Sequence, residues 1–489
     1  MPQFHRNSLE LPTIDKQTLT QALADLQTAV VNGVNIIEER DPAKGEYDGR
    51  GIFTGELGIA LTYLRLAHQA PLLASPVPDF KSLASARIPN HGPDLPLHIG
   101  GLSPLPSKSP IAAVSLRILD ALSNSNAAGA EADISCLNDA IDLALSHGST
   151  GFYHGHNLGA DEVLFGRTGL LWSLVNIRAK ATESSSALEP ILARIPALVR
   201  AIIESGREGV AEYIKEHGKE GALPLMWIWK PGGYGIGWAH GLTGIIPILL
   251  ACDELKASGE YLQEIGGTIT GLCNLCIKHN GHLPTTIPPH SSRRESPLVQ
   301  ICHGAPAILG LLGCALKSGL LWDHWTPEWE KAAYLATERV WEQGLLSKGG
   351  GLCHGIAGNA WPLLLLHDAY EYNSSELKET RKRSASSVAE SQAPTSDYFL
   401  SRALAMLLHA RETRPYKSSS EEYRLPDHPY SLFEGLAGTV CAWAETCAVI
   451  KARLRKMESG HINDEAFKDS IKKQLGFPCM GGSGAMGFL

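Results

Sequence analysis

Short runs of apolar residues recur along the chain, and most of them follow a Gly-x-x-Gly turn. Gly55-Glu56-Leu57-Gly58 leads into IALTYL, Gly166-Arg167-Thr168-Gly169 into LLWSL, and Gly241-Leu242-Thr243-Gly244 into IIPILL. Gly355-Ile356-Ala357-Gly358 precedes NAWPLLLL, and Gly435-Leu436-Ala437-Gly438 precedes TVCAWAE. A degenerate copy, Gly304-Ala305-Pro306-Ala307, opens ILGLLGCAL. These runs are hydrophobic nearly all round, the pattern of a helix buried on every side. Segments between them, such as Leu188 to Glu216, alternate charge and hydrophobe as outer amphipathic helices do.

The turns are spaced by roughly 50 to 110 residues, room for one further helix and its loops, so the pattern predicts an irregular helical repeat. An inner ring of buried helices inside an outer ring is an all-α, α/α toroid, and residues 1–489 are expected to form one such domain. Sustained period-two patterning is scarce, so strands are expected to be few. The glycines should allow backbones to approach closely and should permit positive φ before each inner helix. The N–H groups of the helix starts would then gather at one end of the barrel and favour anions and thiolates there. Loop insertions are expected near 71–110, rich in Pro, Ser and Gly, and near 373–395, rich in Ser, Glu and Lys. The C-terminal FPCMGGSGAMGFL is a candidate for one further glycine turn.

Composition narrows the function. With 44% hydrophobic and 19% charged residues the chain is globular, and its net charge of -8 argues against a nucleic-acid binder. The basic stretch Arg381-Lys382-Arg383 is expected in a solvated loop. No apolar run reaches the ~20 residues that span a bilayer, so no membrane span is expected. Ten cysteines without a disulfide-type ladder, and no signal peptide, predict a reducing, cytoplasmic setting.

The chemistry centres on a repeated tripeptide, Cys302-His303-Gly304 and Cys353-His354-Gly355. At this composition, chance alone would supply about 0.04 copies of Cys-His-Gly. Cys302, Cys353 and His354 are the metal ligands expected from it. Three protein ligands leave a fourth position open on a single zinc, the catalytic arrangement, and a thiol bound there ionises near neutral pH. His303 is expected to support the site rather than ligate. The CxxC of Cys273 and Cys276 lies in an apolar helical stretch and reads as core. His240 precedes another glycine turn on the same end of the barrel, where it could donate or accept a proton.

The stretches DEVLFGRTG, GWAHGLTGI, ICHGAPA, SKGGGLCHGIAGN and RLPDHPYSLFEGLAGT span residues 161 to 439, and GIFTGELGIALTYL extends the pattern toward the N-terminus. Together they resemble the lanthionine synthetase C-like (LanC-like) family, its eukaryotic glutathione-binding branch more than its bacterial peptide cyclases. The resemblance implies an α/α toroid, zinc on Cys302, Cys353 and His354, and His240 as acid/base. It implies addition of glutathione to dehydroalanine and dehydrobutyrine residues of peptides or proteins. Lys348 and Arg424 match positions that the family uses for the carboxylates of glutathione, with Arg6 a weaker candidate. Asp161 and Glu162 both fall where bacterial cyclases carry an acidic residue, and Asp161 is taken as the catalytic partner of His240 with Glu162 as the alternative. Glu434 could serve structure or substrate equally. A non-catalytic zinc and glutathione-binding signalling adaptor, or a peptide lanthionine cyclase, are the alternative readings. The chain departs from the family pattern at Ile301, where many relatives carry an aromatic residue, and at Ala307, which replaces a second glycine.

Overall fold

The structure is a computed structural model that describes residues 2–44, 47, 49–91, 95–123, 131–153, 156–181, 185–289, 297–383, 394–462 and 464–481. It is mostly helical. In chain order the helices begin with α1 (Lys16–Arg40), α2 (Glu56–Gln69), α3 (Phe80–Ser85), α4 (Ile111–Ser123) and α5 (Glu131–Ser146). They continue with α6 (Arg167–Lys180), α7 (Glu189–Leu192), α8 (Ile195–His217), α9 (Leu242–Leu250) and α10 (Gly259–Lys278). The last are α11 (Ala305–Ser318), α12 (Pro327–Gln343), α13 (Ile356–Tyr372), α14 (Ser374–Arg383), α15 (Ser396–His409), α16 (Leu436–Ser459) and α17 (Glu465–Lys472). Strands are short: β1 (Thr150–Tyr153) pairs antiparallel with β2 (His156–Gly159). β3 (Ile228–Lys230) and β4 (Gly233–Gly235) belong to a second small sheet.

Seven of these helices touch in cyclic order. α2 packs on α4, α4 on α6, α6 on α9, α9 on α11, α11 on α13, α13 on α16, and α16 returns to α2. Their sequences explain the placement: every residue from Ile356 to Glu371 in α13 and from Leu436 to Ile450 in α16 is buried, so over those spans neither helix has a face to offer water. The remaining long helices bury one stripe each. α8 buries Leu198, Val199, Ile202, Ile203, Gly206 and Gly209 and packs on α6 and α5, with Gly206 against Trp227 and Gly209 against the Met226 carbonyl, and α1, α5, α12 and α15 lie outside α16, α4, α11 and α13.

The turns that open the seven inner helices are tied to one another in the same cyclic order. Phe53 N–H donates to the Leu105 carbonyl (3.1 Å), and the Ser103 hydroxyl to the Val163 carbonyl (2.7 Å). Leu164 N–H donates to Ala239 O (3.2 Å), and Trp238 N–H to Ile301 O (3.3 Å). Cys302 N–H donates to Cys353 O (3.4 Å), Cys353 N–H to Phe433 O (2.7 Å), and Phe433 N–H back to Phe53 O (3.2 Å). This closed collar satisfies buried backbone groups that no helix or sheet would otherwise pair.

The glycines of the turns serve close approach more than unusual φ. A methyl at Gly358 would sit 1.7 Å from the Leu352 carbonyl oxygen, which no side chain could occupy. The expectation of positive φ before each inner helix is corrected: Gly55, Gly166, Gly241, Gly355 and Gly435 are extended, and Gly304 alone among these capping glycines has φ of 137°.

Three further expectations change. The 71–110 stretch is more than a surface insertion, because it contains α3 and its buried segment 99–106 supplies the collar turn before α4. The candidate C-terminal glycine turn falls partly on residues 482–489, which lie outside the described residues. The described part instead fills the centre of the ring: Phe477 packs edge-on against Trp238 and Trp361, Met480 against Gly310 of α11, and the Leu475 and Gly476 N–H groups donate to Glu445 of α16. Arg381-Lys382-Arg383 ends α14, where the three side chains pair with Glu330, Glu379 and Asp323, so this is not a solvated loop. The expected insertion near 373–395 starts with that helix, and 384–393 lie outside the described residues.

Candidate functional site

Each inner helix except α4 starts on a glycine N-cap, and the residue just before that glycine faces the mouth of the ring at an equivalent place. Around the ring these residues are Thr54, Phe165, His240, His303, His354 and Glu434. The residues one step earlier include Cys302 and Cys353 in adjacent turns, which the collar hydrogen bond from Cys302 N–H to Cys353 O holds side by side. One arc of three consecutive turns, those before α9, α11 and α13, therefore carries every imidazole and thiol of the site.

Cys302, Cys353 and His354 converge. Their candidate ligand atoms lie within 4.8 Å of one another, with both cysteines buried and His354 half-buried. A tetrahedral zinc with ~2.0–2.3 Å bonds needs ligand atoms about 3.3–3.8 Å apart, so the three atoms are close enough for small side-chain adjustments to surround one ion. The donors also fit chemically: the Cys302 thiol is held well below its ordinary pKa, chiefly by a hydrogen bond from the Cys353 thiol and despite burial. The Gln300 amide donates to the Cys302 sulfur at 3.1 Å, support of the kind that orients metal ligands. His303 is not in the cluster. It lies beside His240 (ring centroids 5.8 Å) and Trp229 (6.2 Å).

His240 is held on three sides. Its Nδ1 lies 2.6 Å from Glu162 Oε2, Trp229 of β3 stacks on it at 5.0 Å, and Phe165 lies parallel at 6.1 Å. Burial works against its charged form, but the Glu162 carboxylate outweighs that and holds the pKa above the ordinary imidazole value; Cys302 pushes in the same direction.

Asp161 does not serve His240. Its carboxylate accepts from Arg167 Nε at 2.7 Å and from the Ser205 hydroxyl, and it is 1% exposed. The two neighbouring carboxylates are both buried and take different partners, Asp161 meeting Arg167 and Ser205 and Glu162 meeting His240.

Lys348 and Arg424 are exposed on the other flank. Arg424 N–H donates to Ser347 O at 2.9 Å, which brings the two basic residues onto neighbouring segments, and Lys348 acts electrostatically on Cys353. The N-terminal segment joins them: His5 N–H donates to Leu345 O (2.8 Å) and Ser347 N–H to Gln3 O (3.3 Å), so exposed Arg6 lies on a segment paired with the same loop. Glu434 accepts from His428, whose Nδ1 is 2.7 Å from Oε2. Cys273 and Cys276 are fully buried in α10, with burial raising both thiols, and they form part of the core.

Sequence reasoning missed Trp229, Phe165 and His428. A tryptophan two residues before a Pro-Gly-Gly turn and a phenylalanine before a capping glycine carry no chemical signature of their own. The position of Phe165, equivalent to that of His240, was the available signal.

The family profile for lanthionine synthetase C-like protein matches residues 121–458. The chain belongs to this family. Among its relatives, a zebrafish (Danio rerio) protein named glutathione S-transferase LANCL1 is 27% identical over 319 residues, 65% of each chain. The LanC-like protein GCL1 of Arabidopsis thaliana is 27% identical over 296 residues, 60% of this chain and 56% of its own. The match thus spans less than two thirds of the length of either relative. Of the solved structures, nisin cyclase aligns over 91% of this chain and 98% of its own, at 14% identity and a TM-score of 0.37. No helix among the described residues is long and apolar enough to cross a membrane.

Proposed function

We propose that this protein adds the sulfur of glutathione to the β-carbon of dehydroalanine or dehydrobutyrine residues in peptides or proteins. The observation that carries the reading is the convergence of Cys302, Cys353 and His354 within 4.8 Å, beside a His240 backed by Glu162. The zebrafish relative's name supports a glutathione transferase over a cyclase. We read the ring as one α/α toroid domain, and the free cysteines fit a reducing, cytoplasmic setting.

Zinc is the metal we assign to the three ligands, and it would supply a position at which a thiol is ionised at neutral pH. The chain's own residues do the rest. Lys348 and Arg424 offer cations to the two carboxylates of glutathione. Glu162 holds the imidazole of His240 by Nδ1, which leaves Nε2 as the edge from which a proton can be given. When sulfur bonds to the β-carbon, the electron pair of the double bond moves to the α-carbon and its carbonyl, and His240 protonates the α-carbon. Trp229 and Phe165 hold the ring in plane and limit water around it.

The test is mass spectrometry of a dehydroalanine peptide incubated with glutathione and the zinc-loaded protein, beside Cys353→Ala. An adduct made by the intact protein and not by the variant is expected. Stoichiometric glutathione binding without any adduct would overturn the enzymatic reading and leave a binding module.

A further inference from the structure

Residues 474–481 pass up the centre of the ring, and the helices they touch give their depth. With a rise of ~1.5 Å per residue, Lys317 of α11 lies about 18 Å from the start of its helix, Glu445 of α16 about 14 Å and Trp361 of α13 about 8 Å. Gln474 accepts from Lys317 at 3.2 Å, the Leu475 and Gly476 N–H groups donate to Glu445 at 2.9 Å, and Phe477 meets Trp361 edge-on at 5.3 Å. Cys479 reaches the collar itself, where its carbonyl accepts from Nε1 of fully buried Trp238 at 3.2 Å. The φ of Cys479, 59°, is left-handed, uncommon for a residue with a side chain and kept only where the surroundings fix it. The segment thus runs from deep among the inner helices to the turns that carry the site.

Trp238 joins this segment to the site. It stands two residues before His240, its backbone N–H donates to Ile301 O (3.3 Å) beside Cys302, and its indole stacks on Phe433 at 5.0 Å. Phe433 O in turn accepts from Cys353 N–H (2.7 Å). We infer that residues 474–481 are a positioning element of the site, acting through Trp238 on His240. Trp238 is held at both ends, by its backbone at Ile301 and by its indole at Cys479, so the chain leaves it toward His240 in one direction. An indole N–H left without an acceptor in this core would carry the cost of its lost hydration, which ties the ring to the Cys479 carbonyl. Phe477 closes a further side, edge-on to the indole at 6.0 Å. The placement of the imidazole rests on these contacts alone, and its effect on turnover rests on the proposed reaction.

Two variants of the zinc-loaded full-length protein test this. Phe477→Leu, in the segment itself, removes the edge contact with the indole, and Trp238→Phe keeps a ring on Phe433 but removes the donor to Cys479. The proton between His240 Nδ1 and Glu162 gives a downfield NMR resonance, identified by its loss in His240→Ala, that reads the placement of the imidazole with no substrate present. In both variants it should shift or broaden. With glutathione and a dehydroalanine peptide, kcat should fall by up to about 10²-fold, the effect of ångström-scale misplacement, while the KM for glutathione stays as it was. A lowered denaturation midpoint in Phe477→Leu, with the resonance and kcat of the intact protein, would reduce the segment to core filling and overturn the inference. If the intact protein makes no adduct, the reaction is lost and the resonance decides alone: moved in Phe477→Leu it keeps the inference, unmoved it sinks it. Should Phe477→Leu fail to fold, Trp238→Phe is read in the same way.

Discussion

The Nδ1 of His240 is 2.6 Å from Oε2 of Glu162, and the neighbouring Asp161 carboxylate turns away to Arg167. Two adjacent acids thus have separate duties, one aligned with the proposed proton donor and one holding the turn before α6 to the rest of the protein. His303, Trp229, Phe165 and the Cys302 sulfur are the other groups that face or influence the imidazole, and none of them replaces the carboxylate.

His240→Ala should retain zinc while turnover falls about 10²- to 10⁴-fold, the range of a general acid/base contribution. Metal content by atomic absorption and kcat for the glutathione adduct check both halves. Unchanged turnover would remove His240 from the mechanism.

The pH profile follows from the same pair. Glu162 raises the His240 pKa, so the imidazolium needed as acid persists below that raised value and is lost as pH rises through it. The alkaline limb of kcat should therefore move to lower pH in Glu162→Gln, where the carboxylate charge is gone. The same sign applies to stability, since a raised folded-state pKa contributes below the unfolded value and is lost as pH rises through the folded one. A limb in the same place in both proteins would mean that another group sets it.

Asp161→Asn should behave differently. It leaves Arg167, 3% exposed, with an uncompensated buried charge, a change that costs about 3–5 kcal/mol where one partner of a buried pair is removed. The denaturation midpoint should fall while the alkaline limb stays in place. A shifted limb with unchanged stability would return Asp161 to the catalytic role expected of it.

The ring and its cluster of Cys302, Cys353 and His354 are legible in the sequence for a physical reason. Inner helices such as α13 must be apolar on all faces, and close turns such as the one at Gly358 exclude a side chain, so both leave marks in composition. The doubled Cys-His-Gly is visible because the two turns are equivalent places in the ring. What is not legible depends on direction and on partners distant in sequence. Asp161 and Glu162 are chemically alike, and only the fold decides which reaches across 78 residues to His240. The seventh collar turn at 103–106 lacks the glycine pair and uses the Ser103 hydroxyl in place of a backbone donor, so no repeat marks it. The filling of the ring centre by Phe477 and Met480 is equally silent, because buried residues of a tail look like those of any core segment.

The collar also predicts how the metal site fails. Cys302 and Cys353 are joined through their backbones, and Cys353 N–H is held by Phe433 O at 2.7 Å, so displacement of the α13 turn moves two ligands relative to the third turn's support. Gly358→Ala would drive a methyl into Leu352 O, one residue before Cys353. Overpacking of this kind costs about 1–3 kcal/mol or more where the neighbour is backbone. Zinc affinity should fall along with stability, although no ligand has been changed. A chelator competition series checks this against Cys353→Ala, which removes a ligand from an otherwise intact turn. If Gly358→Ala lost stability but kept the zinc affinity of the intact protein, the ligands would be positioned independently of the collar.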